Sequence, residues 1–204
     1  MSPELAADKL VAQSLQESIA VKQELLGDEE YHRQVNALGH AMSHALSSGH
    51  KVIFFGNGGS AADAQHLAAE LTGRYMMERR ALAAMTLTAN TSSLTAISND
   101  YSYEMVFARQ IEALGCPSDL AVGISTSGNS ANVLRALEVA RSKRMTTAAL
   151  TGKTGGELLS AVDYCIRIPS DCTPRIQEAH ILTGHILCEI VEQELFAGRT
   201  HSFD

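Results

Sequence analysis

Several residue types are scarce in this chain, and their scarcity excludes several classes of protein. Among 204 residues there is no tryptophan, there are only four prolines and four cysteines, and 5% are aromatic. The cysteines form no CxxC pair and are too few for a disulfide framework, so we expect a reducing compartment, by default the cytoplasm. The chain has no apolar run of about 18 residues and no apolar signal segment near its start, so we expect neither membrane insertion nor secretion.

Positive charge is also in short supply. The chain has 16 Lys and Arg against 23 Asp and Glu, a formal net charge of −7. This balance argues against direct binding of nucleic acid or of an anionic membrane through a basic face. The hydrophobic fraction of 45% is that of an ordinary globular protein. An anionic ligand must therefore be bound by local groups.

Helical and strand patterns alternate along the chain. Two amphipathic helices are predicted first, over 3–26 and around 35–46, a further helix is predicted around 103–114, and a long helix is predicted over 174–196. Between them lie five short apolar runs typical of strands, at 51–55, 83–88, 120–124, 146–150 and 164–168. Because parallel strands need crossover connections, the pattern predicts an α/β three-layer sandwich with a five-stranded parallel sheet, preceded by two helices. We expect one domain over 1–204, with 1–49 used in packing or oligomerisation and 50–204 as the core.

Two polar loops follow predicted strands and precede predicted helices. The first ends in Ser60, and the second carries four hydroxyls in six residues, Ser125, Thr126, Ser127 and Ser130. In an open parallel sheet such loops meet beyond the carboxyl ends of the strands, where helix N-termini favour anions. The pattern favours a phosphate monoester as ligand. The alternative is that these hydroxyls only cap their helices.

Two nucleotide-binding motifs are absent or weak. The segment Gly56–Ala61 contains G-x-G, but Ala61 stands where a dinucleotide fold has its third glycine, and no acidic residue follows the next strand. Lys153 and Thr154 lack the upstream glycine of a phosphate-binding P-loop. The sequence therefore gives no support for ATP and little for a dinucleotide.

A histidine and a glutamate lie on one face of the helix after the first loop. His66 and Glu70 are four residues apart and could bind a divalent metal such as zinc, with the carboxylate also able to carry a proton. The alternative is a solvated i,i+4 pair. On the last predicted helix, Gln177 and His185 are eight residues apart, about 12 Å along the axis. If both belong to one metal site, we expect them to come from different subunits.

The remaining histidines have no such context, and His185 itself could equally be a packing residue. We interpret the five others outside the last helix as surface or packing residues, namely His32, His40, His44, His50 and His201.

Five segments together resemble the phosphoheptose isomerases of the sugar isomerase (SIS) family. They are GNGGSAADAQHLAAELTGRY (56–75), ISND (97–100), GISTSGNSANV (123–133), LTGKTGGEL (150–158) and RIQEAHILTGHILCEIVE (175–192). The resemblance covers nearly the whole chain and implies a flavodoxin-like fold. It also implies an aldose–ketose isomerase that converts sedoheptulose 7-phosphate to a manno-heptose 7-phosphate, the entry to the heptose units of bacterial surface polysaccharides such as lipopolysaccharide.

The resemblance further implies a homotetramer with active sites between subunits and one Zn²⁺ per subunit. Carried over by position, Glu70 and His185 would be the acid/base pair, and the metal ligands would be His66, Glu70, Gln177 and His185. The substrate would be bound by Asn57, Gly58, Gly59, Ser60, Glu70, Asn99, Asp100, Ser125, Thr126, Ser127, Ser130 and Gln177.

One position departs from the family pattern, and two other functions stay open. Pro174 stands where family members carry an acidic residue before Arg175, and Asp171 could substitute only if its loop bends back. One alternative function is that of a non-catalytic SIS protein that binds the bacterial replication initiator, although such proteins lack an acidic residue at the position of Glu70. The other is a sugar-phosphate sensor with an empty metal site.

Overall fold

The chain folds as a five-stranded parallel sheet between two layers of helices. The computed structural model describes residues 3–197, with side chains from residue 7 onward, so His201 lies outside the described residues. The helices are α1 Pro3–Gly27, α2 Glu29–Ser47, α3 Gly59–Thr72, α4 Thr91–Asp100, α5 Ala108–Leu114, α6 Ala131–Ser142, α7 Leu158–Ala161 and α8 Thr173–Phe196. The strands are β1 Val52–Gly56, β2 Ala84–Thr86, β3 Leu120–Ser125, β4 Thr146–Thr151 and β5 Tyr164–Arg167.

The strand order is β2-β1-β3-β4-β5, and every pair is parallel. This is the flavodoxin-like order, so the predicted fold class is confirmed. The order reverses between β1 and β3, and in open α/β sheets ligands bind beyond the carboxyl ends of the strands at that reversal. The topology therefore fixes where a ligand site belongs.

Side chains of the central strands alternate between two hydrophobic cores. Along β1, Val52 and Phe54 join the core formed with α2, α3 and α8, whereas Ile53 and Phe55 join the core formed with α5 and α6. Because β1 and β3 are buried on both faces, their sequences are continuous apolar runs.

Helices α3 and α8 run side by side in the same direction. Gly184 of α8 permits the close approach, since a Cβ there would lie 2.4 Å from the side chain of Leu67. At the start of both helices Gly59 lies against Gln177 in the same way. This parallel packing brings residues from two distant parts of the sequence onto one surface.

Two local expectations from the sequence need correction. The helix predicted over 103–114 begins as a 3₁₀ turn, Tyr103–Met105, and becomes α-helical only at Ala108. In α1, Val21 and Leu25 are buried as an amphipathic helix requires, but Leu10, Leu15 and Ile19 are exposed. Among residues 3–197, no helix has both the length and the hydropathy needed to cross a bilayer.

Candidate active site

A cleft of about 290 Å³ opens beyond the carboxyl ends of β1 and β3. It is lined by Asn57, Gly58, Gly59, Ser60, Ile124, Ser125, Thr126, Ser130, Thr173 and Gln177. The sequence analysis predicts substrate contact for eight of these ten residues, including Gln177. The two hydroxyl-bearing loops therefore form one cleft at the point where the strand order reverses.

Three helices begin at this cleft without a side-chain cap. The N-cap positions of α3, α6 and α8 are Gly58, Ser130 and Cys172, and among the described residues none of their side chains accepts a capping hydrogen bond. Away from the cleft, Asp28 caps α2 and Asn90 caps α4. Uncapped N-termini leave N–H donors and a partial positive charge available to an anion.

The hydroxyls of the second loop face one another instead of capping α6. The Oγ atoms of Ser125 and Ser130 are 2.8 Å apart, and Ser127 Oγ accepts a hydrogen bond from Asn129 N at 3.1 Å. Gly128 has φ of 69°, and a Cβ there would lie 2.0 Å from the carbonyl oxygen of Gly155. Only glycine fits this close approach, which packs the second loop against residues 152–156.

Asn57 is oriented by two residues for which the sequence predicted no role. Its side-chain amide exchanges two hydrogen bonds with that of Asn132, at 2.8 and 2.9 Å, and its Oδ1 also accepts the hydroxyl of Tyr103 at 2.8 Å. Asn132 lies inside the GISTSGNSANV segment, so its position in that motif could have predicted a role. Tyr103 begins the 3₁₀ turn that follows α4, and nothing in the sequence indicated a role for it.

Beyond the cleft along α3 and α8, two imidazoles and a carboxylate converge. His66 Nε2 is 2.9 Å from Glu70 Oε1 and 3.2 Å from His185 Nε2, and one ligand atom of each residue lies within 4.8 Å of the others. His66 and Glu70 share a face of α3, and the packing of α8 brings in His185. His66 and Glu70 do form an i,i+4 pair, and His185 joins it from α8 within the same chain.

The donor set fits a zinc ion. Two imidazole nitrogens and one carboxylate oxygen are typical of a catalytic zinc site, which keeps a fourth position open. Ligand atoms about 2.0–2.2 Å from a tetrahedral zinc lie about 3–3.5 Å apart, as the His66–His185 separation does. The three side chains can therefore hold zinc after small adjustments.

Gln177 stands apart from these three residues. Its amide lies against Gly59, where a Cβ would be 2.3 Å from Gln177 Nε2, and it lines the cleft. His185 is eight residues further along α8, about 12 Å by helix geometry. Within one chain the structure brings together three of the four predicted metal ligands and leaves Gln177 near the loops.

One more carboxylate faces this region with an unpaired oxygen. Asp63 lies one turn before His66 on α3, and its Oδ2 is buried with no hydrogen-bond partner among the described residues. Burial raises the pKa of Asp63 to about 6, although the charge of His66 opposes the shift.

His180 of α8 is a packing residue and takes no part in this cluster. Burial lowers its pKa to about 4, and its Nε2 lies 3.1 Å from the carbonyl oxygen of Thr151.

The remaining predicted contacts lie outside the lining of the cleft. Asn99 and Asp100 end α4, are exposed and hydrogen-bond each other at 2.9 Å. Pro174 occupies the first turn of α8, where its missing N–H costs nothing. Asp171, three residues before Pro174, lines an adjoining cleft with Lys153 and Thr126.

Comparisons with known proteins agree with this architecture. Residues 15–152 match the family model of the SIS domain. The phosphoheptose isomerase of Akkermansia muciniphila is 56% identical over 75% of this chain and 81% of its own length. Phosphoheptose isomerase 2 of Campylobacter jejuni is 51% identical over 88% of this chain and 90% of its own. The phosphoheptose isomerase structure from Neisseria gonorrhoeae superposes with a TM-score of 0.85 at 44% identity, covering 92% of this chain and 99% of that one.

The fold and the family model define the class as a SIS domain protein with a ligand cleft at the strand-order reversal. At this level of identity and coverage, the chain belongs to the phosphoheptose isomerase family and is an isomerase.

Proposed function

We propose that this isomerase converts sedoheptulose 7-phosphate to D-glycero-D-manno-heptose 7-phosphate through an enediol. The similarity to phosphoheptose isomerases supports a phosphorylated heptose as substrate. The observation that carries the proposal is the convergence of His66, Glu70 and His185 on the surface that begins at the uncapped cleft. His66 is six residues beyond Ser60, about 9 Å along α3, a span comparable to an extended sugar phosphate.

The cleft is the proposed phosphate site. Ser60, Ser125, Thr126 and Ser130 line it and provide hydroxyls, and the N-termini of α3, α6 and α8 provide backbone N–H donors. Ser127, which lines the adjoining cleft, is proposed as a fifth hydroxyl. These neutral donors suit a chain with a net charge of −7, because they bind an anion without a general basic surface. In this proposal Asn57, Gly58 and Gly59 contact the sugar beside the phosphate, and Asn99 and Asp100 contact it from the end of α4.

Glu70 and His185 are the proposed acid/base pair. Isomerisation of a 2-ketose moves one proton from C1 to C2 and one from the C1 hydroxyl to the C2 oxygen. In the proposed mechanism the Glu70 carboxylate takes the C1 proton and returns it to C2. His185 donates a proton to the C2 oxygen and accepts one from the C1 hydroxyl. Their proximity lets both groups act on adjacent carbons.

We propose that His66, Glu70 and His185 hold one zinc ion per subunit, together with Gln177. When bound, zinc acts as a Lewis acid that stabilises negative charge on the substrate oxygens. Because Gln177 lies near Gly59 of its own chain, its participation is explained best by a second copy of the chain.

The proposed assembly is a homotetramer with active sites between subunits. Its support is the row of exposed apolar side chains on α1, with Leu10, Val11, Leu15 and Ile19 exposed by 53% to 64%. Such a row has a strong tendency to be covered by another protein surface. The single domain over 1–204, the absence of a nucleic-acid or membrane partner, and the cytoplasmic location stay predictions.

The test is isomerisation by the purified protein loaded with zinc. Incubation with sedoheptulose 7-phosphate, followed by NMR, should show the aldose product, and Glu70→Gln should lower the rate by about 10²- to 10⁴-fold. Glu138→Gln, on an exposed part of α6, is the matched control and should retain full rate. Absence of turnover in the zinc-loaded protein would contradict the proposal. Metal analysis and a pull-down with the replication initiator would then distinguish the sensor from the initiator-binding protein.

A further inference from the structure

The segment that follows α3 is fastened to α8 by a buried carboxylate. We call residues 73–79 the clamp segment. Glu192 accepts hydrogen bonds from the backbone N–H groups of Tyr75, Met76 and Met77 at 3.0, 2.9 and 2.8 Å. It also forms an ion pair with Arg79, Nε to Oε1, at 2.9 Å, and the two side chains are 1% and 0% exposed. One side chain of α8 thus fixes the course of three consecutive backbone units.

Arg79 fastens the same segment to the end of α3. Its guanidinium donates to the carbonyl oxygens of Glu70 at 2.8 Å, Leu71 at 2.9 Å and Gly73 at 3.2 Å. Carbonyl groups in the last turn of a helix have no partner within the helix, so these bonds satisfy them. The backbone of Glu70 and the clamp segment therefore form one hydrogen-bonded unit.

This unit presents the ring of Tyr75 to His185. The two rings are stacked, with centroids 5.4 Å apart and planes inclined by 23°. His185 also lies beside His66, whose ring centroid is 5.1 Å away and whose plane is inclined by 58°. The Tyr75 hydroxyl forms no hydrogen bond with the rest of the described chain. Tyr75 therefore contacts His185 through the face of its ring.

We propose that Tyr75 is a positioning residue for His185. An imidazole on a helix can rotate about two side-chain bonds, and only a narrow range of rotations points Nε2 at His66 and Glu70. A ring stacked on one face of the imidazole removes the other rotations, while the Arg79–Glu192 pair holds that ring in place. This inference rests on the proposed role of His185 in proton transfer.

Two substitutions of Tyr75 separate the effect of its aromatic ring from the effect of its apolar bulk. Tyr75→Phe retains the ring and should leave the orientation of His185 unchanged. Tyr75→Leu retains apolar bulk but removes the stack. Because aromatic stacking contributes modestly, Tyr75→Leu should lower kcat by about two- to tenfold with KM unchanged. Met76→Leu, an exposed change in the same segment, is the matched control.

The experiment combines steady-state kinetics with ¹H–¹⁵N NMR of the histidine rings in the full-length protein. We expect Tyr75→Leu to weaken the NOEs between the His185 and His66 rings and to lower kcat, and Tyr75→Phe and Met76→Leu to match wild type in both. The proposal is wrong if Tyr75→Leu leaves these NOEs unchanged, or if Tyr75→Phe is as damaging as Tyr75→Leu. The NMR measurement does not depend on turnover, so an inactive wild-type protein would contradict the proposed function without deciding the role of Tyr75.

Discussion

Removing the charge of Glu192 is the most informative test of how the fold supports the site. In Glu192→Gln the volume is nearly unchanged, but the buried Arg79 loses its counter-ion. An amide also has only one oxygen for the donors that the carboxylate satisfies, three backbone N–H groups and Arg79 Nε. Breaking a buried ion pair from one side costs about 3–5 kcal/mol. The retained amide oxygen favours the lower end, about 3 kcal/mol.

Urea unfolding at a fixed protein concentration measures this loss. Against a total stability of about 5–15 kcal/mol, Glu192→Gln should remain folded with a clearly lower midpoint. Glu189→Gln, exposed on the same helix, should change the free energy of unfolding by less than about 0.5 kcal/mol. If Glu192→Gln unfolds like this control, the clamp segment is held by other contacts and the reasoning fails.

The pair also predicts a pH dependence. Burial raises the pKa of Glu192, but the N–H groups of Met76, Met77 and Tyr75 and the charge of Arg79 outweigh it, so the pKa lies below its ordinary value of 4.5. A lowered carboxyl pKa stabilises the fold above the unfolded-state pKa, and this stability is lost as the pH falls through the folded-state value. The difference between wild type and Glu192→Gln should therefore shrink below about pH 4.5.

Three further predictions concern the cleft, a backbone turn and a buried histidine. Ser130→Ala should raise KM about fivefold with kcat unchanged, since one hydroxyl contributes about 1 kcal/mol to phosphate binding; an unchanged KM in steady-state kinetics would remove Ser130 from the site. Arg144 has φ of 60°, so Arg144→Gly should stabilise the protein by about 1 kcal/mol in urea unfolding, whereas Arg141→Gly within α6 should destabilise it by a similar amount; a loss of stability in Arg144→Gly would contradict this. Because burial lowers the pKa of His180 from 6.5 to about 4, wild type should lose up to about 3 kcal/mol as the pH falls through that window, and His180→Gln should lose less; parallel stability profiles would contradict the neutral, buried state of His180.

The sequence predicted those parts of the fold that depend on local pattern. Buried parallel strands are continuous apolar runs, so β1 and β3 were found within one residue of their bounds. The Gly58 and Ser130 loops were found because strand, polar loop and helix follow one another directly. The 3₁₀ start of the segment after Ser102 was missed, because a single tight turn leaves no periodic signal.

The spacing of residues along the sequence could not predict contacts between distant segments. Tyr75 and Glu192 are 117 residues apart, and only the parallel packing of α3 and α8 brings them together. Spacing along one helix predicts that Gln177 and His185 lie about 12 Å apart. It did not reveal that His185 would meet His66 within the same chain, since that depends on how closely Gly184 allows the helices to approach.

Deuterium exchange into the substrate tests the central claim most directly. If Glu70 moves the carbon-bound proton, zinc-loaded wild-type protein in D₂O should introduce solvent deuterium at C1 of sedoheptulose 7-phosphate and at C2 of the product, as NMR detects. Glu70→Gln should bind the same sugar phosphate and show no exchange above background. Exchange by Glu70→Gln at the wild-type rate would contradict the assignment of His66, Glu70 and His185 as the reaction centre.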